Sequence, residues 1–298
     1  MATIKRFLLF FGVNILMVMT ASVAMFVLRE YFNVPLDGYY AYVITFYLIL
    51  GMGGAFFSLW TSKWMAKRLM RLEMLSPNSS HPTEKWLVDT TYALAKKAGL
   101  PKMPEVAIYP ANELNAFATG PSRSNSLVAV SSGLLEAMDR DEVEGVLAHE
   151  VAHIANGDMV TMTLIQGVVN AIVMIVSRLL ADIIASKLDE RGRGAARFGI
   201  YMLVSFVLAL FGSILVNWFS RRREFRADYG GAMYAGKNKM IKALEKLAMG
   251  YRTVLQSKQD PAVASLKISG VSKKGIKHLF MTHPPLEERI HALKVNSL

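Results

Sequence analysis

Four stretches without a single Asp, Glu, Lys or Arg govern what this chain can fold into: residues 7–28, 38–62, 159–177 and 198–220, each at least 19 residues long. At a helical rise of ~1.5 Å per residue, roughly 20 residues cross a hydrocarbon core of about 30 Å. A helix buried in a soluble core needs only about 10–14. Four runs of crossing length therefore predict an integral membrane protein. Composition agrees: 53% of the 298 residues are hydrophobic and 19% are charged, against about 25% charged in soluble domains.

The formal charge of +11 would point to nucleic acid in a soluble protein. Here the basic residues flank the apolar runs and read as orientation signals. Lys5 and Arg6 precede the first run; Lys63, Lys67, Arg68 and Arg71 follow the second; Arg221, Arg222, Arg223 and Arg226 follow the fourth. The link at 29–37 holds one base and two acids. Positive charge concentrates on the cytoplasmic side, so both termini and the polar segments are expected there. The link at 187–197 dissents, with four basic and two acidic residues, which leaves open a shallow hairpin for the third and fourth runs. Ser22-Val23-Ala24 resembles a signal-peptide cleavage site, but the apolar run continues to Leu28 and cleavage would reverse the orientation of the later basic clusters. The chain has no cysteine, which excludes disulfides and thiolate metal sites and fits a reducing compartment.

Polar segments occupy 63–158 and 221–298. Residues 76–82 read as a linker. Thr83 is placed to cap a helix that Gly99 stops. Short strands are expected at 105–109, 116–119 and 127–131. Asp141 and Glu144 have capping-box spacing for a helix whose apolar stripe is Val143, Val146, Leu147 and Ile154, with Gly157 at its end. An amphipathic helix is expected over 239–251, a mobile loop over 256–275, and a last helix opened by Pro284 and Pro285 through Leu293.

His149-Glu150-Val151-Ala152-His153 carries the chemistry. Side chains four apart on a helix lie one above the other, so both imidazoles reach one cation. Glu150 lies about 100° round from His149, facing the cation without occupying a coordination position. Such a set activates water: zinc brings its pKa to about 7 and Glu150 takes the proton. Catalytic zinc usually takes three protein ligands. Glu224-Phe225-Arg226-Ala227-Asp228 is the best source of the third: Glu224 binds metal while Asp228 accepts the outer N–H of a ligand histidine. Two apolar runs separate His153 from Glu224, and an even number of crossings returns the chain to the face it left.

His-Glu-x-x-His, a membrane hairpin and Glu-Phe-Arg-Ala-Asp together resemble the HtpX and Ste24 family of membrane zinc metalloproteases. Thr282-His283-Pro284-Pro285-Leu286 with Arg289-Ile290, and Leu114-Asn115-Ala116-Phe117-Ala118-Thr119-Gly120, are similar to further family motifs, and the two amino-terminal runs match the bacterial HtpX layout more closely than the Ste24 one. The resemblance implies one zinc ion per chain on His149, His153 and Glu224, with Glu150 as general base and Asp228 behind His149. It places His283 and Asn115 beside the scissile peptide, His283 as a donor to the developing oxyanion. From the residues alone His283 reads as a helix-start residue and Asn115 as a turn residue; Asp158, just past the helix stop, is read as a plain loop residue in preference to an acid behind a ligand histidine.

The expected architecture is mainly α: four transmembrane helices plus a zincin-like α+β catalytic domain with a small sheet on the cytoplasmic side. Its parts are an amino-terminal hairpin (1–62), a first catalytic segment (63–158), a second hairpin (159–220) and a second catalytic segment (221–298). The expected function is zinc endopeptidase of gluzincin type in a bacterial inner membrane, degrading misfolded or unassembled membrane proteins in stress response and quality control. An edge strand near 115–119 would accept extended substrate. Isoprenylated-peptide cleavage is the alternative within the family. A metal transporter is disfavoured because an ion pathway needs polar groups inside the crossings, and a purely structural zinc site would not need Glu150.

Overall fold

The computed structural model describes residues 23, 26–27, 29–31, 38–188, 193–257 and 283–295. Most of the run at 7–28, and residues 258–275 of the loop expected over 256–275, lie outside the described residues. The elements that lie among the described residues are, in order, α1 (Tyr39–Leu69), β1 (Glu73–Met74), α2 (Pro82–Lys97), β2 (Glu105–Tyr109), β3 (Ala116–Ser122), β4 (Asn125–Ser131), α3 (Ser132–Ala137), α4 (Arg140–Asn156), α5 (Asp158–Ala185), α6 (Arg193–Ala235), α7 (Lys237–Ser257) and α8 (Leu286–Val295). The chain clusters into two units: Met1–Ser58 with Thr163–Val216, and Leu59–Met162 with Asn217–Leu298.

Among the described residues, α1, α5 and α6 are long and apolar enough to cross a membrane. Each extends beyond its uncharged run. In the first unit α1 packs on α5 through small residues, as helices do where lipid offers no hydrophobic drive. A β-carbon on Gly51 would lie 2.7 Å from the backbone nitrogen of Ala171. The pair Arg178–Asp182 is 3.3 Å apart, and Arg197 joins Asp182 at 3.1 Å. Tyr39 donates to Asp182 and accepts from Arg178 at 3.0 Å. The acid thus pairs with two guanidinium groups and offsets one of their two charges.

The second unit is built on a four-stranded mixed sheet of order β1-β2-β4-β3. β2 runs parallel to β4, and β3 antiparallel to it, with Ala116 opposite Val130 and Ala118 opposite Val128. That leaves one edge of β3 unpaired within the sheet. Leu87, Val88 and Leu94 of α2, Val128 and Val130 of β4, and Val146, Leu147, Val151 and Ile154 of α4 share one buried core. Each fully buried aliphatic side chain stabilises by about 1.5–3 kcal/mol, so α4 is firmly held. Ten of its 17 residues are buried, including both histidines.

Several local expectations shift. The capping box of α4 is Asp139 with Glu142: the Glu142 N–H donates to Asp139 Oδ1 at 2.8 Å, and the Asp139 N–H to Glu142 Oε2 at 2.9 Å. Asp141 instead meets Lys239 at 3.0 Å. Pro82 opens α2 after His81, so Thr83 is not its cap. Strands β3 and β4 are longer than expected, with an irregularity between Thr119 and Ser122. Helix α7 runs through Ser257, so residues 256 and 257 belong to it rather than to a loop.

Candidate metal centre

Helix α4 presents His149 and His153 on consecutive turns; Gly157, at φ 68°, ends it. Helix α6 continues past its apolar run and brings Glu224 to the same point. Glu224 is 1% exposed, its Oε2 3.5 Å from His149 Nε2 and its Oε1 3.4 Å from His153 Nε2. One ligand atom from each of the three residues lies within 4.8 Å of the others. The two Nε2 atoms are 3.1 Å apart.

Behind the rings stand two more carboxylates. His149 Nδ1 is 2.9 Å from Asp228 Oδ1, and His153 Nδ1 is 2.7 Å from Asp158 Oδ2. Each outer nitrogen is placed to donate, so both Nε2 atoms face inward and offer a lone pair whenever the rings are neutral. Both oxygens of Glu224 accept no hydrogen bond despite their burial. Two imidazole nitrogens and a carboxylate thus converge with no hydrogen bond made to Glu224, an arrangement that costs free energy unless a cation fills it. The set fits a divalent metal, and Nε2, Nε2 and a carboxylate oxygen are suitable ligand atoms for one.

The electrostatics carry the same message. Burial would lower both imidazole pKa values, but Asp228 and Glu224 raise that of His149, and Asp158 and Glu224 push His153 up to about 9. Burial would raise the Glu224 carboxyl, but His149, His153 and His283 hold it well below the usual carboxylate range. Asp228 is lowered as well: Arg289 and His149 override its burial.

Asp158 and Arg289 take roles that the sequence reading did not assign to them. Asp158 is no plain loop residue: it opens α5, is 1% exposed, holds His153, and accepts from Arg226 at 3.1 Å. Arg289, on α8, donates to both oxygens of Asp228 at 2.6 and 2.7 Å and is 3.4 Å from Glu224 Oε2. A sequence signal existed for Asp158, an acid one residue past the helix-ending glycine. Arg289 stood within a family-like motif, but its partner, 61 positions away, had no sequence signal.

A cleft runs past the triad. One chamber, about 140 Å³, is lined by Leu134, Val146, Leu244 and Leu247, with Glu150 and Arg289. The other, about 300 Å³, is lined by Ala116, Phe117, Ala118, Glu150, Met159 and Arg223. Asn115 and His283 line both. His283 Nδ1 is 2.9 Å from Glu224 Oε2 with its side chain 59% exposed. The Asn115 amide donates to Glu113 at 3.2 Å, and its backbone N–H to the Ser131 hydroxyl at 3.2 Å.

Residues 81–296 match the model of Peptidase family M48. The chain belongs to peptidase family M48. Protease HtpX of Shewanella loihica is 51% identical over 297 residues, covering 97% of this chain and 99% of that one. Protease HtpX of Shewanella oneidensis is 51% identical over 298 residues, with the same coverage. The crystal structure of S. mikatae Ste24p superposes with a TM-score of 0.63 at 16% identity, over 98% of this chain. This chain spans 65% of the length of that solved one, and the likeness concerns the fold. As a member of M48, the protein is a membrane metallopeptidase acting on polypeptides.

Close approach of α6 to α4 is essential to the site of this M48 peptidase. A β-carbon on Gly231 would fall 3.1 Å from the His149 nitrogen and 2.8 Å from Met240 Sδ. Gly231→Val is expected to destabilise the fold by about 1–3 kcal/mol through overpacking and to weaken metal binding. Thermal unfolding in detergent, with and without metal, measures both, and an unchanged midpoint would contradict the close packing.

Proposed function

We propose that the protein is a zinc endopeptidase of a bacterial cytoplasmic membrane, with its active site on the cytoplasmic side, that degrades misfolded or unassembled membrane proteins. Four crossings, at 1–62 and 159–220, would frame catalytic segments 63–158 and 221–298. The observation that carries the reading is the convergence of His149, His153 and a buried Glu224 whose oxygens accept no hydrogen bond. We assign these three as ligands of a single zinc ion, Asp228 and Asp158 as the groups that orient the two imidazoles, and Glu150 as general base.

When bound, zinc supplies Lewis acidity, polarising a scissile carbonyl and acidifying water. The residues do the rest. Asp228 and Asp158 hold the ring tautomers, and the Arg289 guanidinium keeps Asp228 ionised and still. Glu150, facing the cleft, takes the proton from the attacking water and can return it to the leaving amine. His283, largely exposed at the cleft mouth, is placed to donate to the oxyanion. The free edge of β3 offers backbone groups beside Glu150, so an extended substrate adds as a strand and Asn115 meets its main chain. Recognition through the main chain requires little side-chain identity, which suits damaged proteins of varied sequence.

Inverted membrane vesicles, which expose the cytoplasmic face, are expected to digest an added unfolded membrane protein. Right-side-out vesicles are expected to spare it. Phenanthroline should stop cleavage and zinc restore it. Cleavage by right-side-out vesicles alone would reverse the orientation, and insensitivity to the chelator would remove the metal from the reaction.

Metal and proton compete for the same Nε2 lone pairs. The His153 pKa is raised from 6.5 to about 9. Proton binding therefore stabilises the metal-free fold below about pH 6.5, and this stabilisation disappears as pH rises through about 9. Displacement of the His153 proton is expected to raise zinc affinity by up to about tenfold per pH unit below about pH 9, levelling off above it. Zinc titration against a competing chelator at several pH values reads the slope, and a flat profile would deny the competition.

A further inference from the structure

The chamber beside β3 contains a charge that the hydrolytic chemistry does not use. Arg223 precedes Glu224 on α6 and lines the cleft with Phe117, Ala118 and Met159. Its side chain is 25% exposed. Its Nε is buried and donates to nothing, and the nearest carboxylate contact, to Glu224 Oε1, is 3.7 Å. Other arginines around the centre are closely matched: Arg226 has Asp158 at 3.1 Å, and Arg289 has Asp228 at 2.6 Å. Asp158 and Asp228 are thus each matched by a guanidinium. With a divalent ion balanced by Glu224 and Glu150, Arg223 is left as the uncompensated positive charge facing the cleft. A guanidinium is costly to hold partly desolvated without an acceptor, and its planar fork suits a carboxylate.

The geometry points to Arg223 as a specificity residue that binds a carboxylate of the polypeptide substrate, beside β3. This rests on the peptidase reading above. The carboxylate is supplied either by an Asp or Glu side chain flanking the scissile bond or by the free end of a chain. The opposite chamber has a wall of Leu134, Val146, Leu244 and Leu247, shares Asn115, His149 and His283 with the first, and adds as its own cation only Arg289, already paired with Asp228. A preference for acid is therefore expected on one side of the bond only.

The test uses binding rather than turnover. Full-length protein carrying Glu150→Gln, zinc-loaded in phosphatidylcholine nanodiscs, is titrated with fluorescent peptides in which one Glu is moved across the central positions. Each is compared with its Gln counterpart, and each is made with a free and an amidated terminus. One Glu position, or the free terminus, should bind about tenfold to a hundredfold tighter than its neutral counterpart, and the margin should shrink in high salt. The first result identifies a side chain as the ligand and the second a chain end. Adding Arg223→Gln should bring the ratio to about one, while Arg223→Lys keeps part of it; zinc content and circular dichroism report whether the fold survives. A ratio near one at every position and terminus in the parent protein overturns the inference, whatever Arg223→Gln does to folding. So does a ratio that Arg223→Gln leaves intact. Failure of the unsubstituted protein to cleave these peptides would count against the peptidase reading, while the binding ratio still decides Arg223.

Discussion

Glu150→Gln is expected to keep its zinc and lose peptide hydrolysis by about a hundredfold to ten-thousandfold, the range a positioned general base contributes. Glutamine preserves the shape of the side chain but cannot accept the proton. Nothing in the ligand set changes, because Glu150 faces the cleft while His149, His153 and Glu224 meet one another. Zinc analysis and cleavage of an unfolded membrane substrate, measured side by side on both proteins, separate the two effects. Comparable turnover would mean that another group takes the proton.

Glu224→Ala should have a different signature: metal content falls to below about a tenth, and stability falls with it. Two imidazoles alone make a poor site for zinc, which usually takes three protein ligands. The truncation also removes a buried carboxylate that lies 3.4 to 3.5 Å from both rings and from Arg289. Leaving buried charge uncompensated typically costs about 3–5 kcal/mol. Glu224→Gln fills the same volume with a weaker ligand, so it should lose metal with a smaller loss of stability. An unchanged zinc stoichiometry in Glu224→Ala would place the third ligand elsewhere.

What could be read from sequence was local. The His149–His153 spacing, the Gly157 stop and the buried stripe of Val143, Val146, Leu147 and Ile154 follow from helical period alone, and all appear in α4. β2 appears with the expected bounds because Glu105–Tyr109 is a compact apolar run between turn residues. The capping box was displaced by two positions because Asp139–Glu142 and Asp141–Glu144 share one spacing. Only packing against α7, where Lys239 engages Asp141 and Glu144, separates them. The two-residue β1 has no sequence signature; it exists by pairing Glu73 with Ile108. That α6 would run unbroken from its apolar run through Glu224 and Asp228 was equally hidden, since a cluster of arginines marks a membrane boundary without saying whether the helix stops there. Arg289 is the clearest case: its place is set by a partner on another helix.

The order in which these groups leave the ribosome has a consequence of its own. A nascent chain halted before residue 224 would carry the two imidazoles and no carboxylate to join them. One halted before residue 289 would leave Asp228 without the guanidinium that clamps it. On the ligand assignment proposed above, a half-made copy is chemically inert while it is being threaded into the bilayer among other unfolded chains. Competence arrives only with the last helix, so synthesis itself supplies the safeguard that many secreted proteases obtain from a removable pro-segment.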